Sequence, residues 1–530
     1  MLDGKHLESL TAADLIQFIS RVRTNLEQLA PLIDDLNALE GADFDTGSNS
    51  LHLFNIIEQR LSQTEADLTS AHSVLAACTT YARTFGRGHI GVFIASLFAS
   101  LEHNCSGEQL RPIEMRRFLK QMPATIQQCF RAPEPILLEM ATQIAQVGES
   151  EPDPIRHPAL MVGTASLIAQ EALIENTTGW CNAGAAFLTI FMSTLHSFYE
   201  GIELPSTAVR DMLKNITAGA VTGQTKPNPP RHGSEFSVDF HLDCRVEDYQ
   251  EFCTRLDDLQ VRYSQQGTVD LLGMGSWRFH VDTTYPRAVL PRVGWLRHVV
   301  IKDARYGELI GHDELAIQQE ASGVLYLSRP TWQRPDTVRV VALVRHWQFI
   351  EEVATTGAWT VFNPIPEDAP LIASLIDDPP GQVGLILVAD EEAAKVAKRA
   401  ETLLSTEAEV IYGNYPYSDA ITSVCAAEAA PIFMPQMGEK TKEITRQLLR
   451  SSASTGLRRC AVLTETDPEI LKEQIDLLIG FGLQRIVFFT DDAHRDLYDQ
   501  LTRQSRIWSQ ARDLVEMVES TEPHIVLVNG

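Results

Sequence analysis

The sequence predicts a multidomain chain: an N-terminal all-α helical bundle or barrel, a small α+β middle domain and a C-terminal α/β region. Three observations predict it. Through about residue 203 the apolar residues recur at helical spacing, with glycine, proline and asparagine clusters as breaks. At EFSVDFHLDC the period switches to strict alternation, the pattern of a half-buried strand. From about residue 337 short apolar runs alternate with helical segments, the pattern of a mostly parallel sheet.

The helical region, residues 1–205, opens with TAADLIQFISRVRTNLEQLAPLIDDLNAL, for which Thr11 is the expected N-cap. SLHLFNIIEQRLSQ, EADLTSAHSVLAACTTYA, GVFIASLFASLEHN, RPIEMRRFLKQMPATIQQCF, EPILLEMATQIAQVG, PALMVGTASLIAQEALIEN and AGAAFLTIFMSTLHSFYEG follow as helices. Several are apolar on more than one face, which suits a bundle or barrel. Residues 206–232, with VTGQTKPNPPRHGS, read as a linker. In the middle domain, 233–335, EFSVDFHLDC is a strand, VEDYQEFCTRLDDLQVRY a helix, and TVDLLGM and WRFHVDTT strands. His232 and His241 flank the first strand at positions expected to be exposed. Residues 336–435 form an α/β domain with strands VRVVALV, AWTVF, VGLILVAD and AEVIYGN. Residues 436–530 form a second α/β domain or extension with CAVLTET, RIVFFTD and HIVLVN.

At 530 residues the chain is too long for one ordinary core. A net charge of −26 argues against a general nucleic-acid binder and against an anionic-membrane binder, while leaving room for one local anion pocket. The N-terminus MLDGKHLESL lacks a signal-peptide pattern, and the apolar stretches near 92–101 and 185–195 are too short to span a bilayer. Eight cysteines without a CxxC pair read as reduced, mostly buried thiols in a cytoplasmic protein.

The segment GADFDTGSNS, 41–50, carries the most chemistry. Asp43 and Asp45 are alternate residues, so in an extended loop their carboxylates face one way and call for a cation between them. Mg²⁺ in phosphoryl-transfer sites is held by such carboxylates together with substrate phosphates. Thr46, Ser48 and Asn49 supply donors, Gly47 permits close backbone approach, and a helix begins directly after. The alternative is a turn that only caps that helix. Asp34 and Asp35, just before, read as a solvated helix face. A second loop, TFGRGHIGVFIAS (84–96), repeats the logic with Arg87, Gly88, His89 and Gly91; its alternative is a tight interhelical turn.

LNALEGADFDTGSN (36–49) resembles the metal- and ATP-binding loop of the DhaL-type domain of dihydroxyacetone (glycerone) kinases. It is most similar to the form in the fatty acid kinase ATP-binding subunit, LNVFPVPDGDTGTNM. Leu36, Asn37, Asp43, Asp45, Thr46, Gly47 and Asn49 coincide without a gap. FGRGHIGVFIAS resembles GARGNSGVILSQ of that family, WCNAGAAFL (180–188) resembles VVDAGGQGL, GSEF (233–236) resembles CTEF, and RFHVDTTYP (278–286) resembles KVHVHTNDP. The resemblance spans roughly residues 1–430.

The resemblance implies an all-α barrel that binds ATP with Mg²⁺. Asp43 and Asp45 would be the metal ligands, with Asn37 beside them. Thr46, Gly47, Ser48, Asn49, Arg87, Gly88, His89, Gly91, Asn182 and Gly184 would line the nucleotide. His280 and Asp282 would take the catalytic positions of the middle domain. The implied reaction is phosphoryl transfer to a small acceptor, a fatty acyl carboxylate presented by an acyl-carrier-type partner protein. A homodimer is compatible with it. The sequence departs from the family at His89 and Ile90, where the family has Asn and Ser, and at Asn182, where it has Asp. Gly233 and Asp282 replace a Cys and a His of a zinc-like constellation. These departures raise two alternatives: a regulatory or scaffold protein that binds ATP without catalysis, and a lipid-binding protein whose helical interior holds an acyl chain.

Overall fold

In the computed structural model the described residues are 7–39, 45–64, 68–150, 158–175, 182–204, 206–221, 236–304, 318–319, 325–326, 339–377, 384–388, 390–405, 408–412, 447, 450–451, 453–455, 458–465, 467–479, 483–504, 515–519 and 523–529. The chain divides into two compact units. The first is Met1–Thr284 with Val289–Leu296 and Ala304–Thr331; the second is Tyr285–Ala288, Arg297–Asp303 and Trp332–Gly530.

The first unit begins with a short strand β1 (Leu10–Thr11) and helices α1 (Ala12–Leu39), α2 (Thr46–Thr64), α3 (Ala71–Phe85) and α4 (Gly88–Asn104). A second short strand, β2 (Gln109–Leu110), pairs antiparallel with β1. Then come α5 (Pro112–Cys129), α6 (Pro135–Ser150), α7 (Pro158–Ile174), α8 (Ala183–Tyr199) and α9 (Ser206–Val221). Thr11 caps α1 as expected: its hydroxyl accepts from the Asp14 N–H at 3.3 Å, and the Asp14 carboxylate accepts the Thr11 N–H at 2.8 Å. Each helix from α1 to α8 packs on the next, and α8 also packs on α1, with one apolar core between them. Phe18, Phe54, Phe93, Phe187 and Phe191 sit in it with almost no exposure. Residues 206–221, expected as linker, are the helix α9, whose Val209 and Leu213 join the same core. Residues 222–232 lie outside the described residues.

The middle part of this unit is an antiparallel sheet of β3 (Phe236–Arg245), β4 (Arg262–Val269) and β5 (Met274–Thr283), with β5 central, and helix α10 (Val246–Asp258) between β3 and β4. The stretch TVDLLGM, expected as a strand, is mostly the β4–β5 turn, with Gly273 at φ +77°. The alternation in β3 does not leave one face wet, because nearly every residue of the strand is buried. Phe240 stacks on Phe279 and meets Phe252 edge-on on the apolar side. Ser237, Asp239 and His241 face the helical layer instead of water. His241 is therefore buried, not exposed, with its Nε2 2.8 Å from the Arg83 carbonyl. A short helix α11 (Pro286–Val289), strand β6 (Trp295–Asp303) and a small hairpin, β7 (Gln318–Gln319) with β8 (Leu325–Tyr326), follow in sequence.

The second unit holds two sheets. In the first, β9 (Arg339–Val344) lies between β10 (Trp359–Phe362) and β11 (Gly384–Val388), and β12 (Ala408–Tyr412) lies outside β11, all parallel. Residues 299–301 of β6 add antiparallel to β10. Helices α12 (Ile350–Thr355), α13 (Ala369–Ile376) and α14 (Glu391–Glu401) connect the strands. The second sheet has β13 (Cys460–Leu463), β14 (Leu483–Thr490), β15 (Val515–Glu519) and β16 (His524–Asn529) in the order β13-β16-β14-β15, with helices α15 (Pro468–Ile479) and α16 (Arg495–Gln504). Here β16 runs antiparallel to both neighbours while β14 and β15 are parallel, so this sheet is mixed. Among the described residues no helix is long and apolar enough to cross a membrane.

Candidate active site

Two helix starts and one helix end meet at the first loop. The last turns of α1 carry Asp34 and Asn37 on one face, three residues apart. The Asn37 Oδ1 accepts the N–H of Asp45 at 3.0 Å and of Thr46 at 3.3 Å. The Asp34 carboxylate accepts the N–H of Gly47 at 2.7 Å and of Ser48 at 3.0 Å, and the Ser48 hydroxyl at 2.5 Å. These are the orphan donors of α2, and α1 satisfies them. Asp34 is thus a cap for α2 and not a solvated residue. Gly47 answers to helix packing: a Cβ there would stand 2.0 Å from the Ala30 carbonyl oxygen. The backbone donors expected for phosphate at Gly47 and Ser48 are therefore engaged by Asp34. Asn37, Asp45 and Thr46 line the cleft, and of these the Asp45 carboxylate is the group suited to a cation. Asp43 lies outside the described residues. Removing the cap by Asp34→Ala is expected to cost about 1–2 kcal/mol, read by chemical denaturation. A change below a few tenths would show that these bonds do not hold α2.

The second loop starts α4 at Gly88, whose φ of +66° places it in the left-handed region. A Cβ at Gly91 would stand 2.5 Å from the Gly86 carbonyl carbon, so these two glycines let the ends of α3 and α4 touch. Arg87 is buried. The third motif forms the start of α8: Asn182 is its N-cap, with Oδ1 accepting the Ala185 N–H at 2.6 Å.

Against α4 stands the polar stripe of β3 and β5. Residues 278, 280 and 282 share one face of β5, and the register sets Asp239 beside His280 and His241 beside Arg278. Arg278 holds Asp239 at 2.8 Å and donates to the carbonyls of Arg83 and Gly86. The Gly88 N–H also donates to Asp239. His280 lies between two carboxylates, Asp282 at 3.1 Å from Nε2 and Asp239 at 3.3 Å from Nδ1. The second contact is ionic, off the line of a good hydrogen bond. Burial alone would lower the His280 pKa, but the Asp239 and Asp282 charges outweigh it and push it up to about 10. The Asp282 carboxyl is held well below the usual range: burial opposes this, and the facing His89 and His280 rings overcome it. His89 completes the group, with Nε2 2.9 Å from Asp282 and Nδ1 2.9 Å from the Ser264 hydroxyl. The His89 and His280 rings meet edge-on at 4.5 Å.

His89, His280 and Asp282 each offer a ligand atom, all within 4.8 Å of one another. A metal needs an imidazole lone pair. Both nitrogens of His280 face carboxylates, so the arrangement fits a proton on His280 and an ion-pair clasp better than a zinc centre. Gly233, at the family's cysteine position, lies outside the described residues.

These parts open on one cleft. Asn37, Asp45, Thr46, Gly88, His89, Asn182, Gly184, His280 and Asp282 line it, together with Glu134 and Arg262, which pair loosely at 3.8 Å. Ile90, Phe93, Phe130 and Leu137 form its apolar wall. Gly47, Ser48, Asn49, Arg87 and Gly91 are not among the lining residues and serve packing and capping behind it. Sequence reading missed Asp34, Asp239, Arg278, Glu134 and Arg262. The spacing of Asp34 and Asn37 on one helix face, and of Arg278, His280 and Asp282 on one strand face, was the available signal for Asp34 and Arg278. Glu134 and Arg262 join the cleft by tertiary contact alone.

No protein-family model matches the chain, and no curated protein matches it.

Proposed function

We propose that the cleft is the site of a Mg²⁺- and ATP-dependent phosphotransferase of the DhaL type, with a fatty acyl carboxylate on an acyl-carrier-type protein as acceptor. The observation that carries this reading is convergence. Residues from three loops spread over nearly 150 positions, 37–46, 88–89 and 182–184, open on the same cleft as His280 and Asp282. The packing of α1 to α8 in succession, with α8 also on α1, supports the barrel that the same reading expects.

Asp45 would hold Mg²⁺, which supplies charge neutralisation for a transferring phosphoryl group. The chain's own residues do the rest. Asn37 fixes the backbone of Asp45 and Thr46, and Thr46 offers a hydroxyl among the lining residues. Asp282 fixes the His89 ring through Nε2, and Ser264 fixes it through Nδ1, so His89 can hold or pass a proton at the cleft wall. Against the cost of burial, His89 and His280 together keep Asp282 ionised. The apolar wall excludes water from one side of the space.

Titration calorimetry of ATP with and without Mg²⁺ tests this. Mg²⁺-dependent heat that Asp45→Asn reduces at least about tenfold is expected, given the loss of one of very few cation ligands. Binding that ignores Mg²⁺ and Asp45 would reject the reading. A second reading, nucleotide binding without transfer, is favoured by one observation: carboxylates of Asp34 and Asp239 already occupy backbone donors at the starts of α2 and α4. It predicts the same heats with no acyl phosphate formed on any carrier-bound fatty acid.

A further inference from the structure

We propose, building on the phosphotransferase reading of the cleft, that Arg262 receives the carboxylate of the acceptor and that Glu134 holds this position until the acceptor displaces it. Arg262 is then the residue that selects a carboxylic acid over an uncharged acceptor.

The charges of the cleft single it out. Three acids line the space, Asp45, Glu134 and Asp282, and among the described lining residues Arg262 is the one arginine, with no lysine beside it. In a chain of net charge −26 an anionic ligand needs a local cation to enter such a space. His280 is already committed, because its two nitrogens face Asp239 and Asp282. Arg262 is not. Its nearest approach to Glu134 is 3.8 Å, beyond hydrogen-bond range, and its side chain is 32% exposed. Among the described residues its guanidinium makes no hydrogen bond. The neighbouring arginines show what commitment looks like here: Arg131 meets Asp257 at 2.9 Å and Arg278 meets Asp239 at 2.8 Å. A guanidinium with its planar fork of donors unspent is matched to a carboxylate, which it can hold by two parallel bonds.

The fold sets this fork where the acid–base group adjoins the apolar wall. In the β4–β5 register Arg262 stands opposite Asp282. Arg262 and Ser264 alternate onto one face of β4, and the Ser264 hydroxyl holds His89 Nδ1. The Phe130 backbone bridges to Ser264, which brings the wall to the same strand. The Phe130 ring meets Phe93 at 5.7 Å, and Leu137 lines the cleft with them. A ligand with a carboxylate head and an apolar body therefore finds partners for both within a short stretch. Glu134 presents the same head group from the chain itself. A triphosphate fits less well at this point, because the flanking Glu134 and Asp282 repel a ligand in proportion to its charge.

Titration calorimetry of the full chain with octanoate, in Mg²⁺ and without nucleotide, tests the assignment. Wild type should bind octanoate. Arg262→Met should weaken it at least about tenfold, as for loss of a hydrogen-bonded charge pair, and Arg262→Lys should fall between. Glu134→Gln should tighten it by up to about fivefold, the worth of a loosely held pair, and it keeps the test decisive if Arg262→Met shifts the melting temperature. Affinity for 1-octanol should follow neither substitution. Mg²⁺-ATP titrations of the same variants separate this assignment from the reading beneath it. Wild type that binds Mg²⁺-ATP but not octanoate would leave the phosphotransferase standing and overturn the role of Arg262. Octanoate bound through Arg262 by a protein that takes no ATP would support the carboxylate site and remove the kinase. An octanoate affinity indifferent to both substitutions overturns the proposal, as does an Arg262→Met variant that loses ATP as much as octanoate.

Discussion

Replacing Arg278 with methionine is expected to destabilise the first unit by about 3–5 kcal/mol, because one partner of a buried ion pair would be removed and the other left behind. Asp239 would keep its charge in a site only 9% exposed. The Gly86 carbonyl would lose its Arg278 donor at the same time, and the Arg83 carbonyl would be left to His241. Arg278→Met combined with Asp239→Leu should recover much of the loss, since a neutral pair of similar volume removes the stranded charge. Denaturant unfolding of the two single variants and the double variant forms a cycle whose coupling should exceed 1 kcal/mol, the range for residues in one network. Additive single effects would mean that the Arg278–Asp239 contact contributes nothing of its own.

The same network should write a signature into the pH dependence of stability. The folded His280 pKa stands near 10, above its ordinary 6.5. Its contribution is then fully present below about pH 6.5 and is lost as pH rises through 10. Asp239 and Asp282 are lowered from 3.8, so their contribution is present above that value and is lost as pH falls. Stability should be greatest between these limits and fall by on the order of 3 kcal/mol toward pH 10, of the size that linkage allows for a buried, partly screened group. Other groups titrate in alkali as well. The informative quantity is therefore the difference between wild type and His280→Gln, measured as denaturant midpoints across pH. The variant should lose the alkaline slope and keep most of the acid limb. An unchanged alkaline slope would place the proton elsewhere in the group formed with Asp239, Asp282, His89 and Arg278.

Helical period and strand alternation carried most of the fold into the sequence. Thr11 was legible as a cap because capping chemistry is local. The strands of the α/β region were legible as apolar runs, apart from β15, whose VEMVE pattern mixes two acids into a short edge strand. What was not legible depends on a second surface. Asp239 and His241 look like the wet side of a strand. They are buried because the helical layer lies on that side and Arg83, Gly86 and Gly88 supply partners. Asp34 looks solvated until the start of α2 is set against it. The turn at 270–273 reads as strand because Leu271 and Leu272 extend the apolar run, and only the tertiary fold leaves them uncovered. The cleft residues His89, His280 and Asp282 were each visible, but not the clasp that joins them.

The hydrogen bonds from Arg278 to Arg83 and Gly86 span 195 and 192 residues of chain. The end of α3 is thus finished by a side chain that the ribosome delivers long after the helix itself. At about 5–20 residues per second, the interval is roughly 10–40 s. Until β3 brings His241 to the Arg83 carbonyl and β5 brings Arg278 to both, those carbonyls face water, and the face of α4 that will meet the sheet stays open. The helical layer is therefore made before the groups that seal it. A nascent chain stalled before β5 is the species in which a chaperone would find that face.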